Sequence, residues 1–278
     1  MIDALEVTSI RSYRGILHNH SSYSREGCYP LSILRKRWAG HLDFAAMTEH
    51  AERTNPEAFA EHVQECDALS DEHFRFIPGL EVATESGDML LLGCRKYIRT
   101  SDPFEVLQEA PDCLILLAHP EEERIIRVVF ERVHGIEWWN TRRMGALMPP
   151  LDWMTQWEQE LPTGKIVTGG NDIHTSDPKR KVFTLVQSSS NSETALLAAI
   201  KQGQFVTSNG LFTLTPDGNC SCIGHDMTSP FIRNSLAASH RLLWRLSQRS
   251  LRRSGKLLRR VGLEKQRASL SRLVRQHM

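Results

Sequence analysis

Short apolar runs alternate with helical patterns from residue 15 to about residue 215. Gly15-Ile16-Leu17 leads as a strand into His18, and Leu31 to Trp38 reads as a helix after a Pro30 start. Leu42 to Met47 is a buried strand ending at Thr48-Glu49-His50, and Pro56 to Leu69 is a helix. Phe74 to Ile77 and Met89 to Leu92 are strands on either side of a turn at Ser86-Gly87. Then come a helix (Pro103 to Ala110), a strand ending at His119-Pro120 (Leu114 to Ala118), a helix (Glu123 to Phe130) and a strand from Gly135 to Glu137. Leu151 to Glu160 is helical, and Lys165 to Thr168 is a strand ending in Gly169-Gly170-Asn171-Asp172. A strand (Val182 to Val186), a helix (Glu193 to Lys201), a strand (Phe205 to Thr207) and a turn-rich stretch from Gly210 to Met227 complete the series. Repeated units of this length favour one α/β barrel over two domains.

Ionisable residues fall at the carboxyl ends of these strands, the face on which barrels build their sites. In His18-Asn19-His20, alternate residues of an extended strand point the same way, so both imidazoles can reach one metal. Asp172-Ile173-His174 repeats that spacing, and Glu49-His50, Glu81, His119 and Glu137 end other strands. Imidazole combined with carboxylate suits Zn, Mn or Fe rather than Ca. A buried cluster of such density would be costly without cations.

At these residues the chain resembles the polymerase-and-histidinol-phosphatase (PHP) domain family. The matching pieces are Leu17-His18-Asn19-His20-Ser21, Thr48-Glu49-His50, Pro78-Gly79-Leu80-Glu81, Ala118-His119-Pro120, Gly135-Ile136-Glu137 and Gly170-Asn171-Asp172-Ile173-His174, in the family's order over roughly residues 15–215. The resemblance implies a distorted (β/α)7 TIM-like barrel holding two or three divalent metal ions (Mn, Zn or Fe) for phosphoester hydrolysis. It assigns His18, His20, Glu81 and Asp172 to a first metal site, His50 and His174 to a second, and His119 to a third that Glu81 bridges to the first. The chain departs from the pattern in having Glu26 where Asp or His is usual, and Asp88 where a His usually precedes the next apolar strand. Both remain oxygen donors. The implied mechanism is in-line attack on phosphorus by a metal-bridging hydroxide. Arg142 and Arg143, just past the Glu137 strand end, are the candidate phosphate clamps, with Lys179 and Arg180 next.

Ala198 to Gly210 and Glu137-Trp138-Trp139-Asn140 resemble the branch of the family that includes carbamate and aryl-ester hydrolases. Carboxylic or carbamic ester hydrolysis at the same metals is therefore the alternative chemistry, and a non-catalytic metal-holding module is a second alternative. Trp138 and Trp139 are read as stacking partners for a base or aromatic leaving group, or as core. Glu49 and Asp43 are read as supporting rather than ligating residues, and His41, His62, His73, His134, His225, His240 and His277 as ordinary ones.

Composition changes this picture at one end. The 278 residues carry 34 Lys+Arg against 33 Asp+Glu, yet residues 231–278 hold 13 Lys/Arg and one acid, Glu264. A basic amphipathic helical tail from 231 is thus expected on an acidic hydrolase domain spanning 1–230. The tail suits nucleic acid, an anionic membrane surface or an acidic partner, and the body suits a phosphorylated small molecule or nucleic-acid end as substrate. The longest apolar run, Cys113 to Ala118, is far short of the roughly 18–20 residues of a transmembrane span. The start, with Asp3 and no apolar core, does not read as a secretory signal. Scattered Cys without a CxxC pair read as reduced thiols, and the expected location is the cytoplasm.

Overall fold

The apolar runs pair into one sheet. The computed structural model describes residues 9–120, 127–151, 164–175, 182–223 and the strand at 225–226. The strands are β1 (Arg11–Asn19), β2 (Phe44–His50), β3 (Arg75–Thr84), β4 (Gly87–Leu92), β5 (Leu114–Leu117), β6 (Gly135–Asn140), β7 (Ile166–Gly170), β8 (Phe183–Ser188), β9 (Phe205–Ser208), β10 (Phe212–Leu214), β11 (Cys220–Cys222) and β12 (His225–Asp226). The helices are α1 (Leu31–Trp38), α2 (Pro56–Ala68), α3 (Pro103–Glu109), α4 (Arg127–Phe130), α5 (Thr141–Met144) and α6 (Glu193–Lys201).

The strand order is β12-β11-β10-β9-β8-β1-β2-β3-β4-β5-β6-β7. Pairings β1–β2, β2–β3, β5–β6 and β6–β7 are parallel, whereas β4 runs antiparallel between β3 and β5, and β8 antiparallel beside β1. The sheet curls far enough to bring the segment after β7 back to β1. Asn171 N donates to Leu17 O at 3.0 Å, Ile173 N to His18 O at 3.3 Å, and His20 N to Ile173 O at 2.9 Å. These bonds place the carboxyl ends of β1 and β7 side by side.

The α/β class and barrel-like curl agree with the expectation. A regular set of seven strand-helix units is not seen among the described residues: a hairpin joins β3 to β4, and β8 to β12 pair antiparallel. Of the helix expected over Leu151 to Glu160 only its first residue is described, and Lys179, Arg180, the boundary near 230 and the basic tail lie outside the described residues.

Beneath the site, alternate strand residues, among them Leu17, Phe44, Ile77, Leu90, Leu116 and Ile166, form an apolar cluster closed by Leu196, Ala199 and Ile200 of α6. Full burial of each such Leu, Ile or Phe is worth roughly 1.5–3 kcal/mol, enough to hold a polar cluster rigidly above it. Ser192 caps α6 by accepting from Ala195 N, and Asn55 caps α2 by accepting from Ala58 N, with Pro56 in the first turn. Trp138 and Trp139 are both buried in the largest apolar cluster, 2% and 0% exposed, so neither is placed to stack a substrate. Trp139 Nε1 donates to Gly145 O at 3.1 Å.

Candidate metal centre

Most of the expected ligands come from the carboxyl half of a strand or the turn after it; Asp88, at the start of β4, and Glu26, in a loop, are the exceptions. His18 is the next-to-last residue of β1, His20 lies just beyond the strand, and His50 closes β2. Glu81 sits in β3 directly beside His50, Asp88 opens β4 opposite Ala83, and His119 follows β5. Asp172 and His174 follow β7, and Glu26 lies in the loop after a single turn of 3-10 helix at Ser22–Ser24.

The backbone at three of these positions is left-handed, with φ of +59° at His18, +32° at His119 and +49° at Asp172. Such angles cost an L residue of order 1–3 kcal/mol and collect where function over-determines the local geometry. They also revise the reading of the two i, i+2 pairs. His18 and His20 do converge, with ring centroids 5.1 Å apart, but through an irregular end of β1 rather than simple alternation along an extended strand.

Glu81 is the hub. Its Oε2 lies 3.1 Å from His18 Nε2, 3.3 Å from His20 Nε2 and 3.1 Å from His50 Nδ1, and its Oε1 lies 3.2 Å from His119 Nε2. Burial alone would push the Glu81 carboxyl up, but the surrounding rings of His18, His119 and His20 hold it well below the usual range. Asp172 behaves likewise: burial opposes ionisation, and His18 and His20 outweigh it. Its Oδ1 is 3.5 Å from His20 Nε2 and 3.3 Å from His174 Nδ1.

Glu26 closes the opposite side, with Oε2 3.2 Å from His174 Nε2 and 3.4 Å from His50 Nε2. Partial burial would raise this carboxyl, and His50, His174 and Arg53 bring it below its ordinary value. Asp88 Oδ2 is 3.8 Å from His119 Nε2. Its carboxyl is pushed up by burial and by Glu81, against the pull of His119 and Arg143.

The candidate clamps also reach this face. Arg142 Nη1 donates to Asp172 Oδ1 at 3.1 Å and lies 2.9 Å from His174 Nε2, and the Arg143 charge is felt at Asp88. The structure therefore gathers the nine expected ligands and Arg142 on one face, with the Arg143 charge acting on Asp88, while Lys179 and Arg180 lie outside the described residues.

Glu137, Asn140, Glu52 and Arg53 had no assigned role in the sequence, whereas Glu49 was read as supporting. Glu137 Oε1 accepts from His18 Nδ1 at 2.8 Å, and Asn140 Nδ2 donates to Glu137 Oε2 at 2.9 Å. Glu49 does not touch a ligand at hydrogen-bond distance; it accepts from Ser21 N (2.9 Å), Ser21 Oγ (2.6 Å) and Ser24 N (3.1 Å), fastening the loop that leads to Glu26. His62, read as ordinary, is fully buried 3.8 Å from Glu49 Oε1. Glu52 lies 3.5 Å from His50 Nδ1, and Arg53 Nη2 lies 3.2 Å from Glu26 Oε1. Most of these pairings join segments distant in the chain and leave no spacing signal.

The donor set fits divalent metals. Among the described residues, ligand atoms converge within 4.8 Å in four groups: His20, His50 and His174; His18, His20 and Asp172; His18, His119 and Glu137; and Glu81, Asp88 and His119. Buried polar atoms normally find partners, yet both ring nitrogens of His20 and Nε2 of His50 have none in hydrogen-bonding geometry. The His20 and His50 rings stack 4.2 Å apart, and His174 lies 4.4 Å from His20. Imidazoles packed face to face with unused lone pairs are what a site for cations provides.

The curled mixed α/β sheet thus carries a cluster of His and carboxylate side chains able to hold metal ions at one end. No protein-family model matches this sequence, and no curated protein matches it. Among solved structures the chain is similar to a two-domain protein from Bacteroides vulgatus ATCC 8482 containing a predicted PHP-like metal-dependent phosphoesterase, with TM-score 0.57 and 17% identity over 74% of this chain and 67% of that one. At that identity the likeness establishes the fold. It lends nothing to the carbamate and aryl-ester branch. No helix among the described residues is long and apolar enough to cross a membrane.

Proposed function

We propose that the protein is a metal-dependent phosphoesterase acting on a phosphate mono- or diester of a nucleotide, an oligonucleotide end or a metabolite. The observation that carries this reading is the convergence of unpartnered ring nitrogens of His20 and His50 on the carboxylates of Glu81, Asp172 and Glu26. His18, His20, Glu81 and Asp172 would hold one cation, and Glu26, His50 and His174 a second. Glu81, Asp88 and His119 would hold a third. Bound cations would supply Lewis acidity and charge neutralisation at the scissile phosphoryl group.

The chain's own residues prepare that chemistry. Glu137 fixes the His18 ring through Nδ1, leaving Nε2 aimed at Glu81. Arg142 is half-exposed beside Asp172, where a guanidinium can donate to phosphate oxygens and stabilise charge developing on them. Arg143 stands on the Asp88 side. The tail from 231 is proposed as a separate polyanion- or acidic-partner-binding element that small-substrate chemistry does not need.

The test is metal content of the full-length protein purified without chelator, read beside hydrolysis of 4-nitrophenyl phosphate, bis(4-nitrophenyl) phosphate and 4-nitrophenyl acetate with Mn or Zn. Two or three ions per chain, phosphoester turnover, and loss of that turnover in folded His18→Ala and Asp172→Ala variants are expected. Activity confined to the acetate overturns the phosphoesterase reading in favour of ester hydrolysis. Metal binding without turnover of any of the three supports a holding module instead.

A further inference from the structure

Two arginines from different strand ends approach the His174 side of the cluster. Arg142, in α5 after β6, pairs with Asp172 and lies 2.9 Å from His174 Nε2. Arg53, three residues past β2, reaches the same ring through Glu26, because Glu26 Oε1 takes Arg53 Nη2 at 3.2 Å while Oε2 faces His174 and His50. The side chains of Arg53 and Arg142 are 57% and 51% exposed, so both present N–H donors to solvent at the mouth of the site.

This arrangement gives Glu26 a physical reason for being a glutamate. One of its oxygens is free to serve a cation beside His50 and His174, and the other keeps the Arg53 guanidinium in place. A histidine could not accept from the guanidinium while ligating a metal, and an aspartate would be one methylene shorter.

We infer that Arg53, held by Glu26, is a substrate-binding residue that pairs with Arg142 to grip a terminal phosphoryl group, making the site selective for phosphomonoesters over phosphodiesters. The inference rests on the phosphoesterase reading and deepens it. A monoester is close to a dianion at neutral pH and has three non-bridging oxygens. A diester carries one charge and two such oxygens, too few to satisfy two guanidinium forks and the metals together. A cationic pair at the rim therefore favours the more highly charged end group.

The experiment uses the full chain loaded with Mn, comparing wild type, Arg53→Met and Arg53→Lys. The readouts are kcat/KM on 4-nitrophenyl phosphate and on bis(4-nitrophenyl) phosphate, calorimetric binding of inorganic phosphate, and metal content. Wild type is expected to prefer the monoester. Arg53→Met is expected to lose about tenfold or more in monoester kcat/KM and in phosphate affinity, with less than about threefold loss on the diester and unchanged metal content, as removal of a charge-assisted bond predicts. Arg53→Lys should recover part of the loss, since it restores charge without the fork.

Equal losses on both substrates, no loss of phosphate affinity in Arg53→Met, or a wild-type preference for the diester would each overturn the inference. If neither phosphoester turns over, the phosphoesterase reading fails separately. Phosphate titration then decides on Arg53: weaker binding by Arg53→Met supports the assignment, and unchanged binding overturns it.

Discussion

His18 Nδ1 lies 2.8 Å from Glu137 Oε1, with both side chains at most 1% exposed, so a carboxylate from β6 fixes the ring of a histidine from β1. Asn140 holds the second Glu137 oxygen and thereby fixes the carboxylate plane. The ring's other nitrogen is left to face Glu81 and Asp172. Partners that orient a ligand histidine typically contribute about 10–100-fold to metal affinity. Glu137→Gln is therefore expected to weaken metal binding by that order while keeping the fold, measured by competitive chelator titration beside circular dichroism. Unchanged affinity would show that ring orientation is secured elsewhere.

The buried rings give the chelated protein a characteristic pH dependence. Burial lowers the affinity of the His18 and His20 rings for protons, but the carboxylates around them more than offset it. His18 is raised well above 6.5, and His20 from 6.5 to about 9. A histidine raised in the folded state contributes stability that is complete below 6.5 and lost as pH rises through the folded value. Glu81 and Asp172, lowered from 4.5 and 3.8, contribute above those values and lose their contribution as pH falls through the depressed ones. The two raised rings should thus make the chelated protein melt progressively lower as pH rises from about 6.5 toward 9, whereas the His50, His62, His134 and His174 rings, lowered mainly by burial, take stability away below 6.5. Cations bind the deprotonated rings, so saturating Mn or Zn should flatten or reverse that slope. Scanning calorimetry across this range checks both, and a chelated melting point that rises from pH 6.5 to 9 would contradict the assigned ring environments.

Much of this was legible in the sequence because strand ends announce themselves. The helix over Leu31–Trp38 was bounded by Pro30, that over Glu193–Lys201 was read from its pattern, and both form at those limits. β3 was read too short, since Pro78 and Gly79 look like a turn. In the structure Pro78 needs no amide hydrogen and its carbonyl accepts from Gly93 N at 2.8 Å. Gly79 admits Leu91 O to 2.5 Å of where a Cβ would stand, a close approach that no alternation pattern encodes. The His and carboxylate cluster was legible as residue types at strand ends, but the pairings Glu137 with His18 and Arg53 with Glu26 are tertiary. So was the fate of Trp138 and Trp139, whose burial depends on what covers β6.

Gly170 illustrates how tightly the cluster is packed. A Cβ there would collide with Glu137 Oε1 and stand 2.9 Å from His18 Cβ. Gly170→Ala must displace the carboxylate that orients His18. The expected result is a stability loss of about 1–3 kcal/mol by urea denaturation, with metal affinity falling as in Glu137→Gln. Normal affinity despite the substitution would mean that the Glu137–His18 bond tolerates displacement.

The Glu49 carboxylate provides a test of the supporting framework that does not involve a metal ligand directly. It is fully buried, held below its ordinary pKa by His62, His20 and the Ser21 and Ser24 donors against the opposing effect of burial. The Ser21 and Ser24 donors belong to the loop between His20 and Glu26, and Gly27, just past it, lies so close to the Ser21 backbone that the loop has little room to repack. Glu49→Ala removes the acceptor from two buried amides and a hydroxyl. Charge-assisted bonds of this kind contribute roughly 1.5–3 kcal/mol each when considered alone, though their loss is not additive, so about 2–4 kcal/mol of destabilisation is expected. Glu49→Gln, which keeps one acceptor, should lose less. The same unfastening should free Glu26 and lower affinity for the cation shared with His50 and His174 more than for the one at His18. Denaturation curves and stepwise metal titration of both variants separate these effects, and equal weakening at all sites would mean that Glu49 supports the barrel end as a whole rather than the Ser21 loop.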